Sequence, residues 1–350
     1  MQTTENKEQI TVKKRKHSQF REVWKRFRRN PIAMTGLVTI LLVALLPLFA
    51  GVIAPSDERN PGYDMQNWRY RFLPPSLSRN EVLNEYGEVI GGTGQIHFFG
   101  TDNLGRDILG RIAHGSRTTL SVGFIVLSIS MTLGVLLGSV AGFYAGVVDN
   151  LFMRFIDIIL AIPNILMALS IGAVLGPGLH TVMIAVGIGA IPGFARIVRA
   201  SVLSLREQEF IEAARSIGAR DFRLIRKHIL PNCIAPIIIE ATMGLAGAII
   251  AAAALSFLGL GLQPPSPEWG AMLSLGRDFM LDGQWHMTFF PGLFIALMVF
   301  ALNMVGDGLR DAFDPRLRTA NISKKTFLRR TAQMRRDIQE AGGDVYGAKG

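Results

Sequence analysis

Long apolar runs with almost no charge constrain this chain more than any other feature of its sequence. The longest, residues 118–145, contains 28 residues without an acidic or basic side chain. Backbone polar groups find no water inside a bilayer, so a run of about 20 or more apolar residues is typical of a membrane-spanning helix. A hydrophobic content of 49% and a charged content of 18% also favour a membrane protein over two soluble domains. Six runs have this character: 33–54, 118–145, 152–176, 179–195, 237–262 and 288–305. We therefore predict an all-α membrane protein with six transmembrane helices.

Small and helix-breaking residues within these runs predict how the spans pack. Glycines 134, 138, 142 and 146 recur at every fourth position and predict a bare helix face that another backbone approaches closely. Pro163 predicts a kink in the third span. Arg154 and Asp157 are three residues apart near the entry end of that span, so we expect them to pair with each other.

A polar segment, residues 55–117, separates the first two spans. Within it, residues 80–96 are interpreted as a small insertion that could form a hairpin. The segment ends in a GTDNLGRD stretch, in which Asp102 and Asp107 are suited to helix caps or turns and Arg106 to pairing with either. Two interpretations stay open here, a purely structural turn and a contact with an external partner.

The distribution of lysine and arginine predicts the orientation of the spans. With both termini on one side, that side carries 29 of the 37 basic residues and the other side carries 8. Basic residues are enriched on the cytoplasmic side of membrane proteins, so we expect both termini and the 205–236 loop to be cytoplasmic. This placement accounts for the net charge of +10 as a topology signal and argues against nucleic-acid binding.

Residues 205–236 form the long charged segment between apolar runs and read LREQEFIEAARSIGARDFRLIRKHILPNCIAP. Helical spacing places four apolar residues of its first half on one stripe: Phe210, Ile211, Ala214 and Ile217. Gly218 follows as a helix terminator, and a second short helix is predicted from about Asp221 to Pro231. The segment therefore predicts a helix, a glycine bend and a helix. The alternative is a basic amphipathic loop on the membrane surface.

Four stretches carry a resemblance to a known family. The first is Glu212-Ala213-Ala214, Gly218 and Leu230-Pro231, whose spacing resembles the EAA loop of ATP-binding-cassette (ABC) importer permeases, with His228 where the general pattern has isoleucine. The other three are GTDNLGRD at 100–107, LSFLGLGLQPPSPEWGAML at 255–273 and NMVGDGLRDAFDPRLR at 303–318. They resemble the C-type permease of dipeptide and oligopeptide importers, one of the inner membrane components of binding-protein-dependent transport. The similarity extends from about residue 18 to 318.

The resemblance implies a type I ABC importer permease fold in the cell (inner) membrane. It also implies five regions along the chain. The first three are a cytoplasmic basic tail with an interfacial helix (1–30), the first transmembrane helix (31–55) and an extracytoplasmic loop (56–117). A permease core of five transmembrane helices (118–309) follows and contains the 205–236 loop, and a cytoplasmic tail (310–350) ends the chain. The implied function is one half of the translocation pathway of an ATP-driven peptide importer. Permeases of this family for glutathione or nickel chelates are alternatives, and a free-standing channel or secondary carrier, or a membrane anchor without transport, are alternatives from other classes.

Partners and site residues are implied by the same resemblance. The partners are a second homologous permease, two cytoplasmic ABC ATPases that bind ATP and Mg²⁺, an extracytoplasmic peptide-binding protein and the lipid bilayer. The residues that would couple to the ATPases are Glu212, Ala213, Ala214, Arg215, Gly218, Leu230 and Pro231.

Motifs of catalysis and of cofactor binding are missing from the sequence. It has no GxxxxGK[ST] phosphate loop, no HExxH and no serine nucleophile elbow, and its six histidines lack metal-ligand spacing. The single cysteine, Cys233, excludes an intrachain disulfide. We therefore expect a transport subunit that is not an enzyme and has no cofactor of its own.

Overall fold

The computed structural model describes residues 19–54, 62–77, 81–83, 89–92 and 96–314. The predicted basic tail before residue 18 and most of the predicted tail from 310 to 350 lie outside these ranges. In chain order the α-helices of the described part are α1 Gln19–Phe27, α2 Pro31–Ile53, α3 Ile108–Tyr144, α4 Gly146–Ala161, α5 Asn164–Leu175, α6 Leu179–Arg206, α7 Glu209–Ser216, α8 Asp221–Leu224, α9 Ile234–Phe257, α10 Trp269–Arg277 and α11 His286–Phe313. Strands β1 Glu81–Leu83 and β2 Val89–Gly92 pair antiparallel, so the 80–96 segment contains the predicted hairpin.

Five helices of the described part are long and apolar enough to cross a membrane, namely α2, α3, α6, α9 and α11. Helices α4 and α5 correspond to the predicted third span and form a pair bent by 85°, which brings the number of spans to six when the pair is counted as one. The bend lies at Ile162 and Pro163, because Pro163 has no N–H with which to continue the ladder of α4. The kink predicted at Pro163 is thus a full break between two helices.

Helix α3 begins ten residues before the predicted span. The Asp107 carboxylate accepts a hydrogen bond of 2.6 Å from the Gly110 N–H and so caps the helix at that point. With 37 residues the helix is roughly 55 Å long, well over a bilayer core of about 30 Å. Its first turns therefore extend beyond the bilayer and carry the polar loop segment.

The glycine stripe of α3 packs against the backbone of α6. A Cβ on Gly134 would lie 2.4 Å from the Cβ of Phe194, and one on Gly138 would lie 2.4 Å from the Ala195 carbonyl oxygen. A Cβ on Gly142 would lie 2.8 Å from the Arg199 carbonyl oxygen. Gly146 is different, because α3 ends at Tyr144 and Gly146 begins α4 with open space around it. The prediction of a close packing face is confirmed for three glycines and wrong for the fourth.

Gly138→Val is expected to destabilise the protein by about 1–3 kcal/mol or more, because the backbones of α3 and α6 would have to separate. Thermal unfolding of the purified protein in detergent measures the effect. Gly51→Val in α2 is the matched control, since no atom lies within 4 Å of the Cβ position of Gly51. Equal unfolding temperatures for the two variants would contradict this account of α3–α6 packing.

Ion pairs between helices differ from the predicted pairing. Asp157 of α4 pairs with Arg196 of α6 at 2.9 Å, and the expected pair with Arg154 is absent from the described contacts. Asp149 of α4 binds Arg199 of α6 through two hydrogen bonds of 2.5 Å each. The prediction was wrong because α4 lies beside α6, whose arginines reach the carboxylates of α4 from across the helix interface.

The short helix α10 closes the core at the end of the bundle where α3 begins. Trp269 is fully buried, and its indole N–H donates to the Ile112 carbonyl at 3.0 Å. Glu268 caps α10 by accepting from the Gly270 and Ala271 N–H groups at 2.9 Å, and burial raises the pKa of its carboxyl. This helix was not predicted. Helix α9 ends at Phe257, five residues earlier than the predicted span, because Gly259 terminates it with a φ of +87° and the Leu260 N–H donates to the Leu255 carbonyl at 3.0 Å.

Helix α1 packs on the end of α11 through Phe27, which is 3% exposed, while Trp24 on the same helix is half exposed. The predicted interfacial helix thus has one aromatic residue inside the protein and another outside.

Candidate functional site

The bend between α7 and α8 is a helix terminator of the Schellman type. Gly218 has a φ of +84°, its N–H donates to the Arg215 carbonyl at 2.9 Å, and the Ala219 N–H donates to the Ala214 carbonyl at 3.1 Å. These two bonds satisfy carbonyl groups that the end of α7 would otherwise leave free. Glycine is favoured here because a positive φ is costly for residues with a Cβ. The predicted bend at Gly218 is confirmed.

One side of the bent pair is anchored to the transmembrane bundle. Its buried members are Ile211, Ala214, Leu224, Ile229 and Cys233. They pack against Phe143 at the end of α3 and against Val198 and Val202 of α6. Arg215 adds a cation–π contact, with its guanidinium 5.8 Å from the Phe143 ring. The bent pair is therefore attached to the ends of the two helices that share the glycine interface.

Other large apolar residues of the pair are exposed. Ile217 is 87% exposed, Phe222 is 71% exposed and Phe210 is 41% exposed. Of the four residues on the predicted apolar stripe, Ile211 and Ala214 lie inside the chain, so the stripe as a whole is not an external surface. Helix α7 packs against the ends of α3 and α6 and buries only the residues that face them. The stripe is wider than this contact, so its remaining residues are exposed. We call Phe210, Ile217 and Phe222 the exposed apolar set.

The seven predicted coupling residues lie on this element. Glu212, Ala213, Arg215, Gly218 and Pro231 are exposed, Leu230 is half-buried and Ala214 is buried. Helix α8 continues through a π-helical turn, Ile225–Ile229, into a 3₁₀ turn, Leu230–Asn232, and α9 starts at Ile234. Pro231 therefore does not separate the pair from the next span, because it fits the first turn of the 3₁₀ segment. Helix α8 is therefore joined to α9 by an almost continuous helical backbone.

The GTDNLGRD stretch is held inside its own chain. Arg106 is 1% exposed and bonds Asp102 at 2.7 Å and Asp64 at 3.1 Å. Asp102 also accepts from the backbone N–H groups of Leu104 and Arg106, and Asp107 pairs with His97 at 2.9 Å. Of the two interpretations left open, the geometry supports a structural turn, because Asp102 and Arg106 have almost no surface to offer to a partner. Asp64 and His97 were not expected in this network, and their distance in sequence left no local signal.

Comparisons with known proteins agree with this architecture. The model of the family "Binding-protein-dependent transport system inner membrane component" matches residues 134–319. The model "N-terminal TM domain of oligopeptide transport permease C" matches residues 18–75.

Three curated relatives are similar over most of their length. The dipeptide transport system permease protein DppC of Alkalihalophilus pseudofirmus is 43% identical over 86% of this chain and 91% of its own. The di/tripeptide transport system permease protein DppC of Pseudomonas aeruginosa is 42% identical over 87% of this chain and 94% of its own. The glutathione transport system permease protein GsiD of Escherichia coli O157:H7 is 42% identical over 85% of this chain and 90% of its own.

The family is one of non-enzymatic membrane subunits of ABC importers. The apolar helices of the described part and the identity with these relatives lead to the same conclusion. The chain is a multi-pass inner membrane protein and belongs to the family of inner membrane components of binding-protein-dependent transport systems.

Proposed function

We propose that this chain is one of two permease subunits of an ATP-driven peptide importer and that the α7–α8 pair couples it to cytoplasmic ATPases. The observation that carries the proposal is the division of the pair into a buried side and an exposed apolar side. A group of exposed Ile and Phe side chains on a short element is typical of a surface that a partner protein covers. The exposed apolar set, with Glu212 and Arg215 beside it, fits a groove on a partner protein better than it fits bulk water.

The buried side supports a mechanical role. Displacement of the pair acts on α3 and α6 through the buried cluster and on α9 through the continuous backbone at Leu230–Asn232. In the proposed cycle, ATP binding closes the two ATPases, the pair moves with them, and the spans rearrange to open the pathway outward; hydrolysis reverses the movement. This is coupling through a physical contact between a two-state partner and a packed bundle.

Orientation and partners follow from the basic residues and from the family. The excess of lysine and arginine supports a cytoplasmic location for both termini and for the α7–α8 pair. The sequence has no phosphate loop, so ATP and Mg²⁺ belong to the two ATPase subunits. A second, homologous permease would complete the pathway, and an extracytoplasmic peptide-binding protein would deliver the substrate.

Dipeptides and other short peptides are the proposed substrates because two of the relatives carry those substrates in their names. Glutathione is the second candidate on the same ground, since GsiD is named for it. Nickel chelates are a further alternative within the family, and none of the three relatives described above is named for them. A free-standing channel or secondary carrier would transport without ATPase subunits, and this difference is open to a direct test.

The test uses the purified complex of both permeases, the ATPases and the binding protein in proteoliposomes. ATP-dependent uptake of labelled dialanine is expected with the unchanged chain. Ile217→Asp and Glu212→Ala are expected to reduce the amount of co-purified ATPase and to reduce stimulated ATP hydrolysis and uptake about tenfold or more. The large loss is expected if these residues are hot spots of the contact, where a substitution costs about 2 kcal/mol or more.

Leu281→Asp is the control for the aspartate substitution. Leu281 is 99% exposed and follows α10, at the other end of the long helix α3. ATPase binding is expected to be unchanged in this variant. Normal ATPase binding and uptake in both Ile217→Asp and Glu212→Ala would contradict the coupling role, and uptake without ATP would favour the channel or carrier.

A further inference from the structure

A cavity of about 340 Å³ lies between the bent pair α4–α5 and helices α6 and α9. Ligand cavities of proteins commonly have volumes of about 300–1,000 Å³. Ten of its eighteen lining residues in the described part are glycine or alanine, so its walls are formed largely by backbone and methyl groups. A wall of this kind leaves room for side chains of different shape and selects little among them.

Two polar side chains stand among the described residues of this lining, Asn164 and Glu240. Asn164 is the first residue of α5, directly after the break at Pro163. Its Oδ1 lies 3.1 Å from the position that a Cβ on Gly189 would occupy. The Glu240 Oε1 lies 3.1 Å from the corresponding position on Gly193. Both polar groups therefore face α6 at glycines, where no side chain separates them from the cavity.

Glu240 lies inside a membrane-spanning helix without a partner of opposite charge. It is six residues into α9, about 9 Å from the helix start, and it is half-buried. No hydrogen bond or ion pair to its carboxylate occurs within the described ranges. Ionisable groups at such depth are costly, and they mark the pathway of a substrate or ion when they face a cavity.

We propose that this cavity receives the peptide during transit and that the Glu240 carboxylate binds the protonated amino terminus of the peptide. The inference rests on the proposed function and deepens it. Side chains vary from one short peptide to the next, whereas the terminal ammonium is shared by all of them. One carboxylate in a mostly apolar lining fits this pattern, because a charge-assisted hydrogen bond orients the shared group and the glycine and alanine surface accepts the variable side chains.

The test compares Glu240→Gln with the unchanged chain in the complete importer in proteoliposomes. The amide keeps the shape and removes the charge. Uptake of labelled dialanine per ATP hydrolysed is expected to fall about tenfold, while ATP hydrolysis stimulated by the binding protein is unchanged. Glu240→Asp is expected to recover most of the uptake. Asp278→Asn, at an exposed carboxylate after α10, is the control and is expected to behave as the unchanged chain.

A binding measurement separates a substrate contact from a structural role. Ala251→Cys places a thiol in the cavity lining. The native Cys233 is buried, and burial raises the pKa of its thiol to about 11, so it stays unreactive. Dialanine is expected to protect the introduced thiol from N-ethylmaleimide when position 240 carries a carboxylate and to give no protection in the Glu240→Gln background.

Gly193→Val provides a second variant that leaves the carboxylate in place. The valine side chain would fill the space beside Glu240, and the same loss of uptake and protection is expected, with Gly51→Val as the control. If Glu240→Gln does not reach the membrane, Gly193→Val tests peptide binding at Glu240 in its place. Uptake and protection equal to those of the unchanged chain would overturn the inference and leave the importer function intact. Absence of dialanine uptake with the unchanged chain would overturn the proposed function, and this inference with it.

Discussion

Gly218→Pro is expected to reduce ATP-driven peptide uptake to background. Proline holds φ near −65° and has no N–H, whereas Gly218 has a φ of +84° and donates to the Arg215 carbonyl. The bend must therefore open, and α7 and α8 lose the relative orientation that fixes where Phe210, Ile217 and Phe222 lie with respect to one another. Uptake and stimulated ATP hydrolysis in proteoliposomes measure the effect.

A graded series at the same position tests whether backbone conformation is the cause. No atom lies within 4 Å of the Cβ position of Gly218, so substitution there creates no steric clash. Gly218→Ala is then expected to destabilise the bend only through the positive φ, by about 1–2 kcal/mol, and to reduce uptake severalfold. Gly218→Asn is expected to stay near the unchanged level, because asparagine adopts this conformation more readily. Uptake that is equal in the alanine and proline variants would contradict a role for the bend.

Arg106→Met is expected to lower the free energy of unfolding by up to about 3–5 kcal/mol, because it removes the cation nearest to Asp102 and Asp64 and leaves Arg111, 3.7 Å from Asp102, as the remaining counter-charge. Asp102 is 4% exposed, and the side chain of Asp64 is 15% exposed. Methionine fills much of the arginine volume, so the loss is expected to come from charge more than from packing. Thermal unfolding of the purified chain and protease sensitivity of the segment before α3 measure it.

Two further variants define the contribution of charge at this site. Arg69→Met removes an exposed arginine from the same segment and is expected to change stability by no more than about 0.5 kcal/mol. Arg106→Met combined with Asp102→Asn is expected to be less destabilised than the sum of the single changes, since the uncompensated charge is removed. An Arg106→Met protein as stable as Arg69→Met would show that the buried network does not hold the loop.

Local features of the site were accessible from the sequence. The stop at Gly218 follows from the conformational freedom of glycine after an amphipathic run, and the break at Pro163 follows from the missing N–H of proline. The close-packing face of α3 follows from glycine spacing along one helix. Each of these predictions depends on residues within a few positions of each other, where backbone geometry decides the outcome.

Features that depend on a distant neighbour were missed or wrongly assigned. Asp157 was expected to pair with Arg154, which is nearby in sequence, and it pairs with Arg196 of another helix. Trp269 was part of a recognised motif, yet nothing local indicated that it is buried in the core and donates a hydrogen bond to the Ile112 carbonyl. No local pattern in the sequence singled out Glu240 as a site residue, because its cavity exists only where α5, α6 and α9 meet.

The sequence by itself determined that this chain crosses a membrane several times and carries a bent helical pair between two spans. Both properties follow from local rules, the need of the backbone to satisfy its hydrogen bonds in lipid and the periodicity of a helix. Only the tertiary structure decided which half of the apolar stripe is anchored and which half is exposed, since that depends on the surface that the ends of α3 and α6 offer. A helical period specifies a face, but the neighbour that covers the face is supplied by the rest of the fold.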